Sequence, residues 1–251
     1  MKPKGIIVDL GCVTIFCILA ASPALAQTGA QFDKANQEYT ACHFKEAIAN
    51  YEGIVGSGEY SANLFYDLGN AYFRERDFGN AILNYERALA LDRHHPETQA
   101  NLSIARDESR ALELTPDLPE RYFRLATASQ YAIAAAIAFW FGLLCIARLI
   151  FARHRSGAVI ALAILSLAIF AAAMFAAYSI ENGSKGRALA IVTGSEVEAR
   201  LATADNANSV LALPPGSEIK ILSKRGDWVY AALPNSLRGW IPAKSAESVS
   251  L

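Results

Sequence analysis

The sequence predicts a multidomain membrane protein with three parts: an α-helical repeat, a two-helix transmembrane hairpin and a small β domain. Two uncharged apolar stretches, residues 125–147 and 156–180, are each long enough to cross a hydrocarbon core of about 30 Å. The chain before them has a helical self-similarity, and the chain after them changes to short β-rich runs. Three segments with different periodicities therefore share one chain of 251 residues.

Residues 1–26 are predicted to be a signal peptide. Lys2 and Lys4 precede an apolar run, and the sequence Ala24-Leu25-Ala26 fits the small-x-small rule for cleavage after Ala26. An uncleaved membrane anchor is the alternative interpretation. In either case the chain from Gln27 onward is expected to leave the cytoplasm.

The loop between the two apolar stretches, residues 148–155, predicts the topology. It contains Arg148, Arg153 and Arg155 and no acidic residue, so the positive-inside rule places it in the cytoplasm. The export signal independently places residues 27–124 outside. Two crossings then return residues 181–251 to the outside. Small residues recur at every fourth position of both stretches: Ala134, Ala138 and Gly142, then Ala168, Ala172 and Ala176. This spacing predicts close packing of the helices. The alternative is that it arises by chance in alanine-rich segments.

Residues 27–114 contain a self-similar pattern, in which Ala47-Ile48 recurs as Ala81-Ile82. A period of about 34 residues with two helices in each unit is typical of the tetratricopeptide (TPR) repeat. The second unit resembles this repeat well, because its small and aromatic residues have the expected spacing: Phe65, Leu68, Gly69, Tyr72, Ala81, Tyr85 and Ala88. Asp77 is placed to cap the second helix of that unit. A third unit begins after Pro96 and is predicted to stop after one helix. Residues 115–124 then form a linker to the membrane.

The first helices of such units line a concave surface that can hold a partner protein. The predicted lining residues are Asn36, Asn63, Tyr66, Asn70, Phe73 and Arg74. The TPR domains that clamp a C-terminal carboxylate use lysine, arginine and asparagine at set positions. Here Asn36 fits, but Phe32, Asp67 and Glu97 stand where the others would be. The sequence therefore does not predict carboxylate capture. A solvated helix face is the alternative interpretation of the six residues.

Residues 187–251 are predicted to form a small β barrel of five short strands at 188–192, 196–200, 218–222, 228–232 and 239–241. The order of turns and aromatic residues around Gly226-Asp227-Trp228 and Gly239-Trp240-Ile241 closely resembles the bacterial SH3-like domain. Trp228 and Trp240 are predicted to form a ligand surface for an extended segment or a cell-wall peptide. The alternative is that both tryptophans pack the barrel.

Composition and motifs argue against several functions. The net charge is −1, which gives no indication of nucleic-acid binding, although residues 27–124 carry 16 acidic and 10 basic side chains, a net charge of −6. No Cys/His cluster has the spacing of metal ligands, and Cys42 is the one cysteine predicted in a soluble part. No hydrolase, nucleotide-binding or metalloprotease motif is present. The prediction is a non-enzymatic protein without cofactor or metal.

The order of modules resembles the BatE-like proteins of bacterial aerotolerance (Bat) operons. The resemblance is carried mainly by the spacing of Tyr39, Ala47 and Tyr51, by Leu68-Gly69-Asn70-Ala71-Tyr72 and by Ala100-Asn101-Leu102. It implies a scaffold of the bacterial inner membrane with both soluble parts in the periplasm. It also implies as partners membrane-anchored von Willebrand factor A-type proteins and a MoxR-type ATPase that acts from the cytoplasm. The alternative hypothesis is a sensor whose SH3-like domain binds peptidoglycan.

Overall fold

The computed structural model describes residues 29–151 and 156–251, which divide into two compact units between Ala105 and Arg106. The predicted signal peptide and the second half of the predicted loop, including Arg153 and Arg155, lie outside the described residues. The first unit is helical. The second contains two long apolar helices and an antiparallel sheet, so the predicted classes of secondary structure are confirmed.

The first unit consists of consecutive helices joined by short turns. The helices are α1 (29–40), α2 (Phe44–Gly56), α3 (Ala62–Arg74), α4 (Phe78–Leu91) and α5 (Pro96–Ser109), the last of which continues past the division between the units. Ser61 caps α3 by accepting a hydrogen bond from the Leu64 N–H at 3.1 Å. Asp77 caps α4, as predicted, by accepting one from the Asn80 N–H at 3.2 Å.

The turn after every second helix repeats at the interval of the sequence pattern. Cys42, Arg76 and Arg110 all have left-handed backbones, with φ of 63°, 61° and 56°. Each accompanies the same pair of backbone hydrogen bonds, for example from the Arg76 N–H to the Phe73 carbonyl at 3.1 Å and from the Asp77 N–H to the Tyr72 carbonyl at 3.0 Å. This left-handed closure satisfies carbonyls that the end of a helix leaves unpaired. The sequence repeat is therefore also a repeat of local structure.

Side chains repeat at the same interval. The Tyr51 hydroxyl donates to the Asn36 side chain at 2.5 Å, and the Tyr85 hydroxyl donates to the Asn70 side chain at 2.8 Å. The Tyr39 and Phe44 rings meet edge to face at 5.4 Å, and the rings at the equivalent positions of the next repeat do the same at 5.6 Å. Each hydroxyl-bonded tyrosine closes a polar contact between two packed helices while its ring stays buried.

The second unit contains two helices that are long and apolar enough to span a membrane, α7 (Ala128–Phe151) and α8 (Gly157–Asn182), preceded by the short helix α6 (Leu118–Phe123). Helix α7 begins a few residues later than predicted because Thr127 and Gln130 form a reciprocal capping box, with the Thr127 N–H 2.9 Å from the Gln130 side chain. Phe123 packs edge to face against Tyr131 and Phe175 and so ties α6 to both helices.

The face that packs α7 against α8 differs in part from the predicted stripes. Ala138, Gly142 and Ala176 are buried as expected, but three predicted residues are exposed: Ala134, Ala168 and Ala172. Their places are taken by Ala135 and Cys145 of α7 and by Ser166 and Ala173 of α8. The buried Ser166 hydroxyl donates to the Ala138 carbonyl, and a Cβ on Gly142 would lie 2.9 Å from that hydroxyl oxygen. A glycine is therefore needed opposite the serine.

The sheet of the second unit has seven strands among the described residues, all antiparallel. The strands are β1 (Leu189–Val192), β2 (Val197–Arg200), β3 (Ser209–Leu213), β4 (Glu218–Arg225), β5 (Trp228–Ala232), β6 (Arg238–Pro242) and β7 (Ala246–Ser248). Their order in the sheet is β3-β2-β6-β5-β4-β1-β7. The edge strands, β3 and β7, do not pair with each other, so the sheet is open and the predicted closed barrel is not confirmed.

The five predicted strands are confirmed within a few residues, and β3 and β7 were not predicted. One face of the sheet encloses an apolar core that includes Val192, Ile219 and Ile241. Strand β7 is only three residues long and forms through its pairing with β1, which requires no apolar alternation. Its sequence, Ala-Glu-Ser, therefore carried no strand signal.

Candidate interaction sites

Three of the six residues predicted to line a concave surface meet in one groove of the first unit. Asn70, Phe73 and Arg74 lie on one side of α3 and line a cavity of about 180 Å³. The rest of its lining consists of Tyr39, Tyr85, Asn101 and Ile104. We refer to these seven residues as the helical groove. Tyr39 could have been found from the sequence, because it occupies the position in the first repeat that Phe73 occupies in the second.

Asn70 is the polar centre of the helical groove. Its side-chain oxygen accepts hydrogen bonds from the Tyr85 hydroxyl and from the Asn101 side chain, both at 2.8 Å. The Asn101 amide also lies 3.4 Å from the hydroxyl of Tyr66, which is another of the six predicted residues. These bonds hold the polar side chains of three helices in one arrangement. The groove is thus preformed, and this lowers the entropic cost of binding a partner segment.

The last two predicted residues do not line the helical groove. Asn36 is bonded to Tyr51, and Asn63 lies beside another hollow of about 330 Å³ that is also lined by Phe32 and Tyr60. Arg74 does line the groove, and its guanidinium lies 5.1 Å from the centre of the Phe44 ring. This cation–π contact holds a positive charge in the lining of the cavity.

Asp67 of α3 makes the stability of the first unit depend on pH. Burial raises the pKa of its carboxyl from 3.8 to about 6, and the nearby His95 lowers it in part. The folded state therefore holds this proton more tightly than the unfolded chain does. Stability is expected to fall as the pH rises from 3.8 to about 6 and then to level off.

Asp67→Asn should remove this loss, because an amide carries no ionisation that burial can oppose. We expect the variant to unfold at the same temperature as the wild-type protein below the ordinary aspartate pKa and at a higher temperature above the raised one. This difference is measured by unfolding the first unit with heat at a series of pH values and monitoring the unfolding by hydrogen exchange. A stability difference that does not change with pH would contradict the assignment.

A second candidate site is the face of the sheet opposite the apolar core. Trp228 and Trp240 are both half-buried on this face. Trp240 of β6 lies opposite Tyr230 of β5 on one side and opposite Arg200 of β2 on the other. The rings of Tyr230 and Trp240 lie 5.0 Å apart. We call Trp228, Tyr230 and Trp240 the aromatic surface. Tyr230 was not predicted, although side chains alternate along a strand and its position after Trp228 places it on the same face.

Residues 29–151 and 156–251 contain no group of three His, Cys, Asp or Glu side chains that could hold a metal ion. Cys42 is an exposed thiol, and Cys145 is buried in the hairpin. No protein-family model matches the chain, and no curated protein is significantly similar to it. The helical groove, the hairpin and the aromatic surface are the features of the protein that indicate a function.

Proposed function

We propose that the protein is a non-enzymatic scaffold of the bacterial inner membrane that holds a protein partner in the helical groove. The observation that carries this proposal is the structural repeat: the same turn, ring contact and tyrosine–asparagine bond recur from one repeat to the next and build a preformed groove. This recurrence supports assigning the first unit to the TPR class, whose grooves bind extended segments of other proteins.

The two apolar helices support a membrane location. In the proposed topology α7 and α8 cross the bilayer as a hairpin, the segment that joins them is cytoplasmic, and both soluble parts are periplasmic. The resemblance to BatE-like proteins suggests von Willebrand factor A-type membrane proteins as groove partners, with a MoxR-type ATPase acting on the complex from the cytoplasm. A membrane-held partner binds effectively even through a weak groove, because anchoring raises its local concentration.

Photo-crosslinking in cells tests the proposal. A photoreactive amino acid at Ile104, which is exposed and lines the groove, is expected to give a specific crosslinked partner. The same amino acid at Lys45, which is exposed on α2 and does not line the groove, serves as the control. A partner crosslinked equally from both positions, or from neither, would contradict binding in the helical groove.

The proposed topology predicts the reactivity of the native cysteines. A membrane-impermeant maleimide, added to cells whose outer membrane has been permeabilised, should label the exposed Cys42. Cys145, which is buried between the apolar helices, should react only after denaturation in detergent. The Cys42→Ser variant is the matched control. Labelling of Cys42 only after the inner membrane is lysed would place the first unit in the cytoplasm and overturn the proposed location.

Peptidoglycan binding is the second candidate function, and the aromatic surface favours it. Three partly exposed rings on one sheet face can stack on the apolar faces of sugars or dock an extended peptide. Trp228→Ala combined with Trp240→Ala should abolish sedimentation of the protein with isolated cell-wall material. Leu222→Ala, at an exposed residue of β4, is the control. Unchanged sedimentation of the double variant would rule out this surface as the wall-binding site.

A further inference from the structure

Glu218, the first residue of β4, is fully buried, and both of its carboxylate oxygens have partners. One oxygen contacts the Arg106 guanidinium and accepts a hydrogen bond from the Lys185 ammonium at 2.9 Å. The other accepts a hydrogen bond from the Leu114 N–H at 2.9 Å. A buried carboxylate requires such partners because its loss of hydration is otherwise uncompensated. Glu218 therefore connects the sheet to the segments on both sides of the hairpin.

The backbone of the segment before the hairpin also forms hydrogen bonds with the start of β4. The Glu218 N–H donates to the Leu112 carbonyl at 2.8 Å, and the Leu112 N–H donates to the Ser217 hydroxyl at 3.1 Å. The Leu112 side chain packs against the apolar core of the sheet. Part of the predicted helical-repeat region, close to its end at residue 114, thus contacts the start of β4 and the core of the sheet.

A second buried carboxylate ties together the two segments that flank the hairpin. Glu120 of α6 accepts hydrogen bonds from the backbone N–H groups of Ser184, at 2.9 Å, and Lys185, at 3.3 Å. Between these segments a Cβ on Gly183 would lie 2.6 Å from a Glu120 oxygen, so the approach requires glycine. In addition, the Lys220 ammonium of β4 donates to the carbonyl of Asn182, the last residue of α8.

We infer that Glu120 and Glu218 lock the sheet to the end of the hairpin where α7 begins and α8 ends, so that a tilt of the hairpin is transmitted to the aromatic surface. Buried ion pairs add little net stability, but breaking one of them is costly because it leaves a buried charge without that partner. They therefore favour one orientation over all others. The inference rests on the proposed membrane location of the hairpin and does not depend on any groove partner.

Distances between nitroxide labels in purified full-length protein test this coupling. One label replaces the exposed Ser129 at the start of α7, and the other replaces the exposed Lys224 of β4, in a background without native cysteines. The protein is reconstituted in nanodiscs of short-chain and of long-chain lipid, because a change in bilayer thickness alters helix tilt. We expect one narrow distance distribution that is the same in both lipids. A wild-type distance that changes with bilayer thickness would overturn the inference.

Glu120→Gln weakens the tie without altering the sheet, because Glu120 lies in α6. We expect a broader distance distribution that shifts with bilayer thickness. Lys220→Met, which removes the contact to Asn182, provides a second variant of the same tie. The control is Glu113→Gln, which removes a carboxylate that is half-exposed and is expected to leave the distribution narrow. Narrow distributions in both Glu120→Gln and Lys220→Met would refute the locking role.

Discussion

Alanine at Gly69 is expected to destabilise the first unit by about 1–3 kcal/mol, although alanine is normally the better helix former. A Cβ at this position would lie 2.7 Å from two ring carbons of Tyr85 and 3.3 Å from the Ala81 carbonyl. The Tyr85 ring is fully buried and its hydroxyl is bonded to Asn70, so the ring cannot move away without losing that bond. The substitution should therefore also distort the helical groove.

Gly56→Ala is the matched control for this prediction. Gly56 ends α2, and a Cβ there would meet no atom within 4 Å. This variant should be unchanged or stabilised by about 0.4–1 kcal/mol, because alanine restricts the unfolded chain. Hydrogen exchange of the slowest amides in α3 and α4 gives the free energy of unfolding of the unit in both variants. Equal effects of the two substitutions would show that Gly69 is not required for helix contact.

Glu218→Gln is expected to lower the free energy of unfolding of the sheet by about 3–5 kcal/mol, the usual effect of breaking a buried ion pair. The variant removes the buried anionic partner of Arg106 and Lys185, which are mostly buried and which also contact the half-exposed Glu113. An amide also cannot balance the charges of two cations. The exchange rates of the slowest amides in β4 and β5 measure the loss.

Glu113→Gln provides the comparison, because Glu113 contacts the same two cations at 3.4 Å and 3.3 Å but is half-exposed. Solvent screens such a pair, so we expect a loss of less than about 1 kcal/mol. The contrast isolates burial, since both substitutions replace a glutamate by its amide. If the two variants lose equal stability, the buried carboxylate has no special role in holding the sheet.

The sequence was most informative where one residue type is required at a fixed interval. The helical pattern could be predicted because Gly69, Ala81 and Tyr85 meet at one helix crossing, where size is tightly restricted. The groove was predicted only in part. Asn63 and Asn70 look equivalent along α3, and the packing of neighbouring helices decides that Asn70 lines the cavity while Asn63 does not.

The tie between the sheet and the hairpin left no signal in the sequence. A glutamate at the start of a strand is normally solvated, and the burial of Glu218 depends on Arg106, which is far away in the chain. The position of Ser166 was missed for a similar reason, since its partner is a backbone carbonyl of the other helix. Long-range polar contacts of this kind follow from the tertiary arrangement and not from local periodicity.

The most direct test of the scaffold function is affinity capture from native membranes solubilised in detergent, using the intact protein and Arg74→Glu. Arg74 is exposed and lines the helical groove, so reversing its charge should abolish partner capture without unfolding the unit. Arg93→Glu makes the same charge change at an exposed site that does not line the groove. We predict that von Willebrand factor A-type membrane proteins are captured by the intact protein and by Arg93→Glu, and are lost with Arg74→Glu. Capture that is equal in all three, or absent from all three, would contradict a scaffold that works through this groove.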